Sequence, residues 1–177
     1  KAFVGYGKFN YRKYLSKSGL YVANYGIGAS TSHFNENSRY TSITPSVSFG
    51  FRPADLLSNK REFLSFRYVN ILRDFDPSLQ NLANDPENPD YSVFNARYIN
   101  RDNGILDYKS WFLDFQLAGN FSKLSFEYEY RKLFENNRQL NLRFFAGKFL
   151  SNKTQTDFFS FALDRPTDYL IDYGYLG

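Results

Sequence analysis

Residues 40–51 read Tyr-Thr-Ser-Ile-Thr-Pro-Ser-Val-Ser-Phe-Gly-Phe. Ile43, Pro45, Val47, Phe49 and Phe51 share one parity, and Ser42, Thr44, Ser46, Ser48 and Gly50 share the other. A period of two belongs to a β-strand whose faces meet different surroundings. Three further runs repeat it. Trp111, Leu113, Phe115 and Leu117 oppose Ser110, Asp114 and Gln116, with only Phe112 breaking the polar parity. Leu124, Phe126, Tyr128 and Tyr130 oppose Lys123, Ser125, Glu127, Glu129 and Arg131; Leu140, Leu142, Phe144 and Ala146 oppose Gln139, Asn141 and Arg143. Residues 123–131 and 139–147 therefore read as a hairpin.

Less regular alternation lies at 2–15, 20–31, 62–73, 91–100 and 157–164, giving nine strand candidates along residues 1–177. Turn-rich segments such as Lys17-Ser18-Gly19, Asp102-Asn103-Gly104 and Asn136-Asn137 separate them. Leu56-Leu57 and Leu79–Leu82 have room for one helical turn at most. The longest link, Asp74–Asp90, follows the fourth strand. If long loops face the cell exterior, the even-numbered connections lie outside and a further strand precedes Lys1.

Composition agrees with strands. The chain holds 20 Phe and 15 Tyr, one His, and neither Met nor Cys. Without cysteine there is no disulfide framework, thiolate metal site or cysteine nucleophile. No apolar stretch is long enough for a transmembrane helix, but a membrane-crossing strand needs only about 9–11 residues, half of them polar. Lys1 opens directly on Ala2-Phe3-Val4-Gly5-Tyr6, so no signal peptide is read there and the chain is expected to be mature, truncated or internal. The net charge is +4, with Lys and Arg spread among acids, so no nucleic-acid partner is expected.

A soluble antiparallel sandwich also alternates, and a soluble β-sandwich binding module stands as one alternative. Three features favour a membrane. The alternating runs exceed the five or six residues usual in globular strands. The polar face carries both charge signs in mid-strand at Arg67, Arg97, Asp114, Glu127, Glu129, Arg131 and Arg143, as suits a charge network filling a narrow lumen. Finally, Tyr and Trp gather near strand ends, where a membrane interface selects amphipathic rings. The expected lipid-facing set is Ile43, Val47, Phe49, Trp111, Leu113, Phe115, Leu124, Phe126, Tyr128, Leu140, Leu142 and Phe144.

No HExxH, GxSxG, P-loop or GxGxxG pattern occurs, so no catalytic, cofactor or metal residue is assigned and no cofactor is expected. His33 is expected in a loop. The acids Asp74, Asp76, Asp85, Glu87 and Asp90 have calcium-ligand chemistry but no EF-hand spacing, and a solvated loop is the preferred reading. Asp114, Glu127 and Glu129 are better explained by ion pairing than by acid–base work.

Three runs carry a family resemblance: Phe66-Arg67-Tyr68-Val69, Tyr91-Ser92-Val93-Phe94-Asn95-Ala96-Arg97-Tyr98, and the stretch from Phe158 to Tyr169. In them the chain resembles large outer-membrane proteins of Bacteroidota, and more narrowly the C-terminal barrel region of their membrane-bound gluzincin-type, M1-like metallopeptidases. That resemblance implies a zinc peptidase domain outside these residues and an anchoring role for this segment in the bacterial outer membrane. Asp172–Gly177 lacks the terminal aromatic residue usual in such barrels, so the chain is expected to continue or to have been cut.

The sequence thus predicts an all-β, antiparallel up-and-down transmembrane β-barrel segment spanning 1–177, with eight or nine strands of a larger barrel. Its expected function is membrane anchor and scaffold. The other alternative is a channel or an assembly subunit of a multi-protein outer-membrane complex. The expected partners are outer-membrane lipid, other segments of the same barrel and other outer-membrane proteins.

Overall fold

The computed structural model describes residues 3–16, 19–35, 38–53, 57–75, 91–136, 138–154 and 161. Every regular element among them is a strand: β1 Phe3–Tyr14, β2 Leu20–Asn35, β3 Ser38–Phe51, β4 Lys60–Phe75, β5 Tyr91–Asn103, β6 Asp107–Ala118, β7 Phe121–Leu133 and β8 Gln139–Asn152. They form one antiparallel sheet in sequence order, β1 to β8. Among the described residues β1 and β8 do not pair, so the sheet is an unclosed up-and-down meander, as in part of a larger barrel. The 123–131 and 139–147 runs pair as a hairpin, with Phe126 opposite Ala146.

The strands run 12–16 residues, and all but β1 are longer than the alternation suggested. Side-chain alternation fades where the apolar face ends, but backbone pairing continues. Lys60 and Arg61, polar on both faces, still pair with Asp102 and Arg101. The same extension corrects the expectation for His33, which lies in β2 opposite Phe3 and Arg39 rather than in a loop. In the ninth candidate, 157–164, only Phe161 is described, and it lies outside any strand. Leu57 sits in a turn, whereas residues 79–82 and the acids from Asp76 to Asp90 lie outside the described residues.

The connections define two ends. The odd end joins β1–β2, β3–β4, β5–β6 and β7–β8; the even end joins β2–β3, β4–β5 and β6–β7. Length does not sort them as expected. Residues 36–37 and 119–120 make the even links on either side of the long 76–90 link, because two residues close a hairpin whichever way it faces. At the β5–β6 turn Gly104 is required, since a Cβ there would lie 2.6 Å from the Asp107 carbonyl oxygen.

Register assigns every side chain to one of two faces. On the inner face of β2 and β3 the residues are small: Gly26, Gly28 and Ser30 against Ser46, Thr44 and Ser42. A Cβ on Gly26 would come within 2.8 Å of Ser46 Oγ, so the chains there are close. Large rings stand outside. A sheet with small side chains on one face and large ones on the other relieves crowding by curling toward the small face, which is the curvature a barrel needs. β1 and β8, each with one neighbour, leave both faces exposed over most of their length.

One apolar cluster lies on the inner face near the even end. Val69, Ile71, Val93 and Phe121 are buried, with Tyr40, Tyr91, Ala118 and Phe149 packed against them. Alternation missed it because apolar residues here occupy the otherwise polar parity.

Candidate functional site

The seven charged residues marked by sequence all project from the inner face, and the structure resolves them into separate contacts. On β5 and β6, Asp114 is 4% exposed and accepts three hydrogen bonds: from Arg97 Nε at 2.6 Å, Asn95 Nδ2 at 2.8 Å and Gln116 Nε2 at 3.0 Å. Asn95 and Gln116 are themselves buried. A buried carboxylate is tolerable only when donors replace its lost water, and three donors, one of them charged, do so here. The Arg97 guanidinium also lies over the Phe112 ring, 5.3 Å from its centroid. Phe112, the one break in the alternation, therefore supplies a π-face for a cation rather than a misplaced core residue.

Across β7 and β8, Glu127 is also 4% exposed and takes a bidentate pair from Arg143, Nε to Oε1 at 2.7 Å and Nη2 to Oε2 at 3.0 Å. Glu129 lies opposite Ser110 and Arg143 in register, and Arg131 stacks over Tyr108 at 5.5 Å. Arg67 lies opposite Ser46 on one side and Asn95 on the other. Two buried carboxylates, Asp114 and Glu127, thus anchor the charged residues of this face. Their oxygens are occupied by arginine and amide donors. Such carboxylates hold strands together and fill space; they are poorly disposed to take a proton from a substrate.

Sequence reasoning passed over two further features of this face. Asn95 and Gln116 complete the Asp114 centre, yet uncharged amides gave no signal beyond their parity. Lys123, 3% exposed, has its ammonium 5.7 Å from the Phe121 centroid and 5.3 Å from that of Phe161. Phe161 itself packs on inner-face rings of β8, Phe149 at 5.2 Å and Phe145 at 5.8 Å. It sits over Gly147, where a Cβ would come within 2.9 Å of the ring. The chain after β8 thus places an aromatic ring on the inner face.

All twelve residues marked as lipid-facing fall on the outer face. Register carries that face without a break across five strands, through Phe49, Leu64, Tyr98, Leu113 and Phe126. A line of rings crosses it: Tyr98 to Trp111 at 5.2 Å, Trp111 to Phe126 at 6.2 Å, Phe126 to Phe144 at 6.4 Å. Despite these contacts the outer face is open, with Leu113 41% and Phe144 58% exposed. Polar residues bound it. On the outer parity Ser92 and Asp102 limit β5, and Ser122 and Lys132 limit β7, each pair ten residues apart. Inside that band Asn100 donates to Glu62 at 3.0 Å, so the two polar groups satisfy each other.

Near the odd end are two shallow open recesses. One, of about 250 Å³, is lined by the β5–β6 turn together with Arg131, Leu133 and Gln139; the other, of about 290 Å³, adjoins it beside Glu129, Tyr130 and Arg143. Neither contains a nucleophile held by a base. Among the described residues no three His, Asp or Glu side chains form a group that could hold a metal ion, and no helix is long and apolar enough to cross a membrane. No protein-family model, no curated protein and no solved structure matches this chain.

Proposed function

We propose that this chain is a lipid-embedded segment of a larger β-barrel in a bacterial outer membrane, serving as anchor and scaffold. One observation carries the proposal: in the middle of the sheet the polar face is buried and the apolar face is open. Asp114 and Glu127 are sequestered while Leu113 and Leu117 face outward. Water-soluble sheets do the reverse, because exposing apolar area costs roughly 25 cal/mol per Å². Lipid removes that cost, and a curled sheet gives the polar side chains partners inside. The dimensions fit as well. Ten residues between polar limits span about 33 Å along a strand, or about 25 Å in height at a tilt near 40°, which matches the apolar band of outer-membrane barrels.

Within this proposal the partners are membrane lipid, further strands of the same barrel against the edges of β1 and β8, and other outer-membrane proteins. The narrower assignment, to the barrel region of a Bacteroidota membrane-bound M1-like metallopeptidase, is supported by the three strand runs that carry the resemblance. It requires an HExxH helix elsewhere in the full-length protein, and an open reading frame without one would sink it. A wide pore is not favoured, since Asp114, Glu127 and their partners occupy the inner face.

Spin labels on the full-length protein in vesicles test the membrane placement. Labels at Leu113, Phe126 and Leu142 should be relaxed by oxygen and shielded from a water-soluble nickel complex. Nickel access equal to that of an exposed turn would overturn it.

A further inference from the structure

We infer that the odd end of the sheet is a headgroup-binding rim, whose short turns lie within the headgroup layer and whose cations engage anionic phospholipid. The inference rests on the membrane placement proposed above and adds which end meets which lipid chemistry.

Geometry comes first. On β5 and β6 the outer band ends at Asp102 and Lys109, and Ile105 is only three residues past Asp102. Three extended residues cover about 10 Å, or roughly 7 Å in height when the strand is tilted. The headgroup layer on each side of a bilayer is about 5–8 Å thick. The turn therefore ends inside that layer rather than in bulk water.

Its composition fits such a place. Ile105 is 96% exposed and Leu106 60%, and in the neighbouring β3–β4 connection Leu57 is 89% exposed. Apolar tips of this kind are costly in water and at home at an interface. Beside them, Lys109 Nζ lies 5.9 Å from the Tyr130 centroid and Lys132 Nζ 5.6 Å from that of Phe134. A lysine ammonium held beside an aromatic ring at the edge of the apolar band, on a long flexible stem, is within reach of headgroup phosphates.

Charge decides the kind of lipid. The described residues of the stretches at this end, 12–16, 52–62, 101–109 and 131–138, hold ten Lys and Arg against four Asp and Glu; of the ten, Arg12, Arg61, Arg101 and Arg131 lie on the inner parity and Lys13, Lys60, Lys109 and Lys132 on the outer. Asp102 faces both Lys60 and Lys109, and Asp107 faces Lys132, which leaves this end net basic. A net basic rim attracts an anionic surface over about a Debye length. Anionic glycerophospholipid is the occupant to which the rim is matched.

The test compares the full-length protein in phosphatidylcholine vesicles with the same protein in vesicles that also contain phosphatidylglycerol. Anionic lipid should raise the thermal midpoint by several degrees, and added salt should erase the gain. The quadruple variant Lys13→Gln, Lys60→Gln, Lys109→Gln and Lys132→Gln, all at positions on the outer face, should insert normally and lose most of that lipid preference. Insertion with equal midpoints in the two lipids overturns the inference alone, as it would if the rim served an acidic protein. So does a preference that survives the quadruple change. Failure to insert into either vesicle overturns the membrane placement and the inference together.

Discussion

Asp114 and Ile71 lie on the same face of the same sheet, two strands apart, yet they are buried by opposite means. Asp114 is held by Arg97, Asn95 and Gln116, whereas Ile71 is enclosed with Val69, Val93 and Phe121. Further toward β2 the same face is filled by glycine and serine. The inside of a curled sheet therefore does not have to be polar. It has to be filled without orphaning a donor or acceptor, and this chain does so with ion pairs, with an apolar cluster and with near-absent side chains.

The charged residue of the two should carry the larger effect. Asp114→Leu removes the acceptor of three donors, the Arg97 guanidinium and the buried amides of Asn95 and Gln116, which should cost about 3–5 kcal/mol. Urea unfolding of the full-length protein refolded in detergent would measure it, and a loss below about 1 kcal/mol would show that the Asp114 centre is not a structural one. On the other side of the sheet, Phe126→Arg should cost about 2–4 kcal/mol if the site lies near the bilayer midplane. The same change at Tyr130, nearer the odd end, should cost less. A flat depth profile in vesicles would contradict a lipid-facing band.

Ile71→Ala, at the apolar member of the pair, should cost about 2 kcal/mol. That is the low end for a buried aliphatic deletion, because Val69, Val93 and Phe149 border the cluster and can close part of the cavity. The same unfolding titration reads it, and an effect as large as that of Asp114→Leu would make the apolar cluster the dominant core. Glu127→Leu ranks below both. Its partner Arg143 has a side chain 37% exposed and can reach water once the carboxylate is gone, so about 1 kcal/mol is expected. A solvated carboxylate would show no loss at all.

The same contrast explains what could be read from sequence. β3, β6, β7 and β8 were plain because their inner parity is polar and their outer parity apolar, so period two stood out. β4 was less regular for a definite reason: Val69 and Ile71 put apolar residues on the inner parity just where the cluster forms, and Glu62 and Asn70 put polar ones on the outer parity. Irregular pairing hid other details. Near Leu20 and Val22 the register of β2 shifts against β3, and on β8 Leu150 is left between Phe149, opposite Lys123, and Ser151, opposite Ser122. Bulges of this kind change parity without changing composition. The charged residues of the inner face could be collected by parity alone, but not the partners of Asp114 and Glu127, which depend on register between strands.

Phe161 is the one described residue of the 157–164 run. The alternation of 157–164 resembles that of the other strands, yet Phe161 lies outside a strand, over Gly147 on the inner face, beside Phe145 and Phe149. Gly147→Ala should push the ring aside at a cost below about 1 kcal/mol, since the contact is with the far end of a side chain that can swing. Position is better tested by crosslinking, because the chain has no native cysteine to interfere. Phe149→Cys with Phe161→Cys should form a disulfide under mild oxidation, whereas Phe144→Cys with Phe161→Cys, across the sheet, should not. If the second pair closed and the first did not, Phe161 would lie on the outer face.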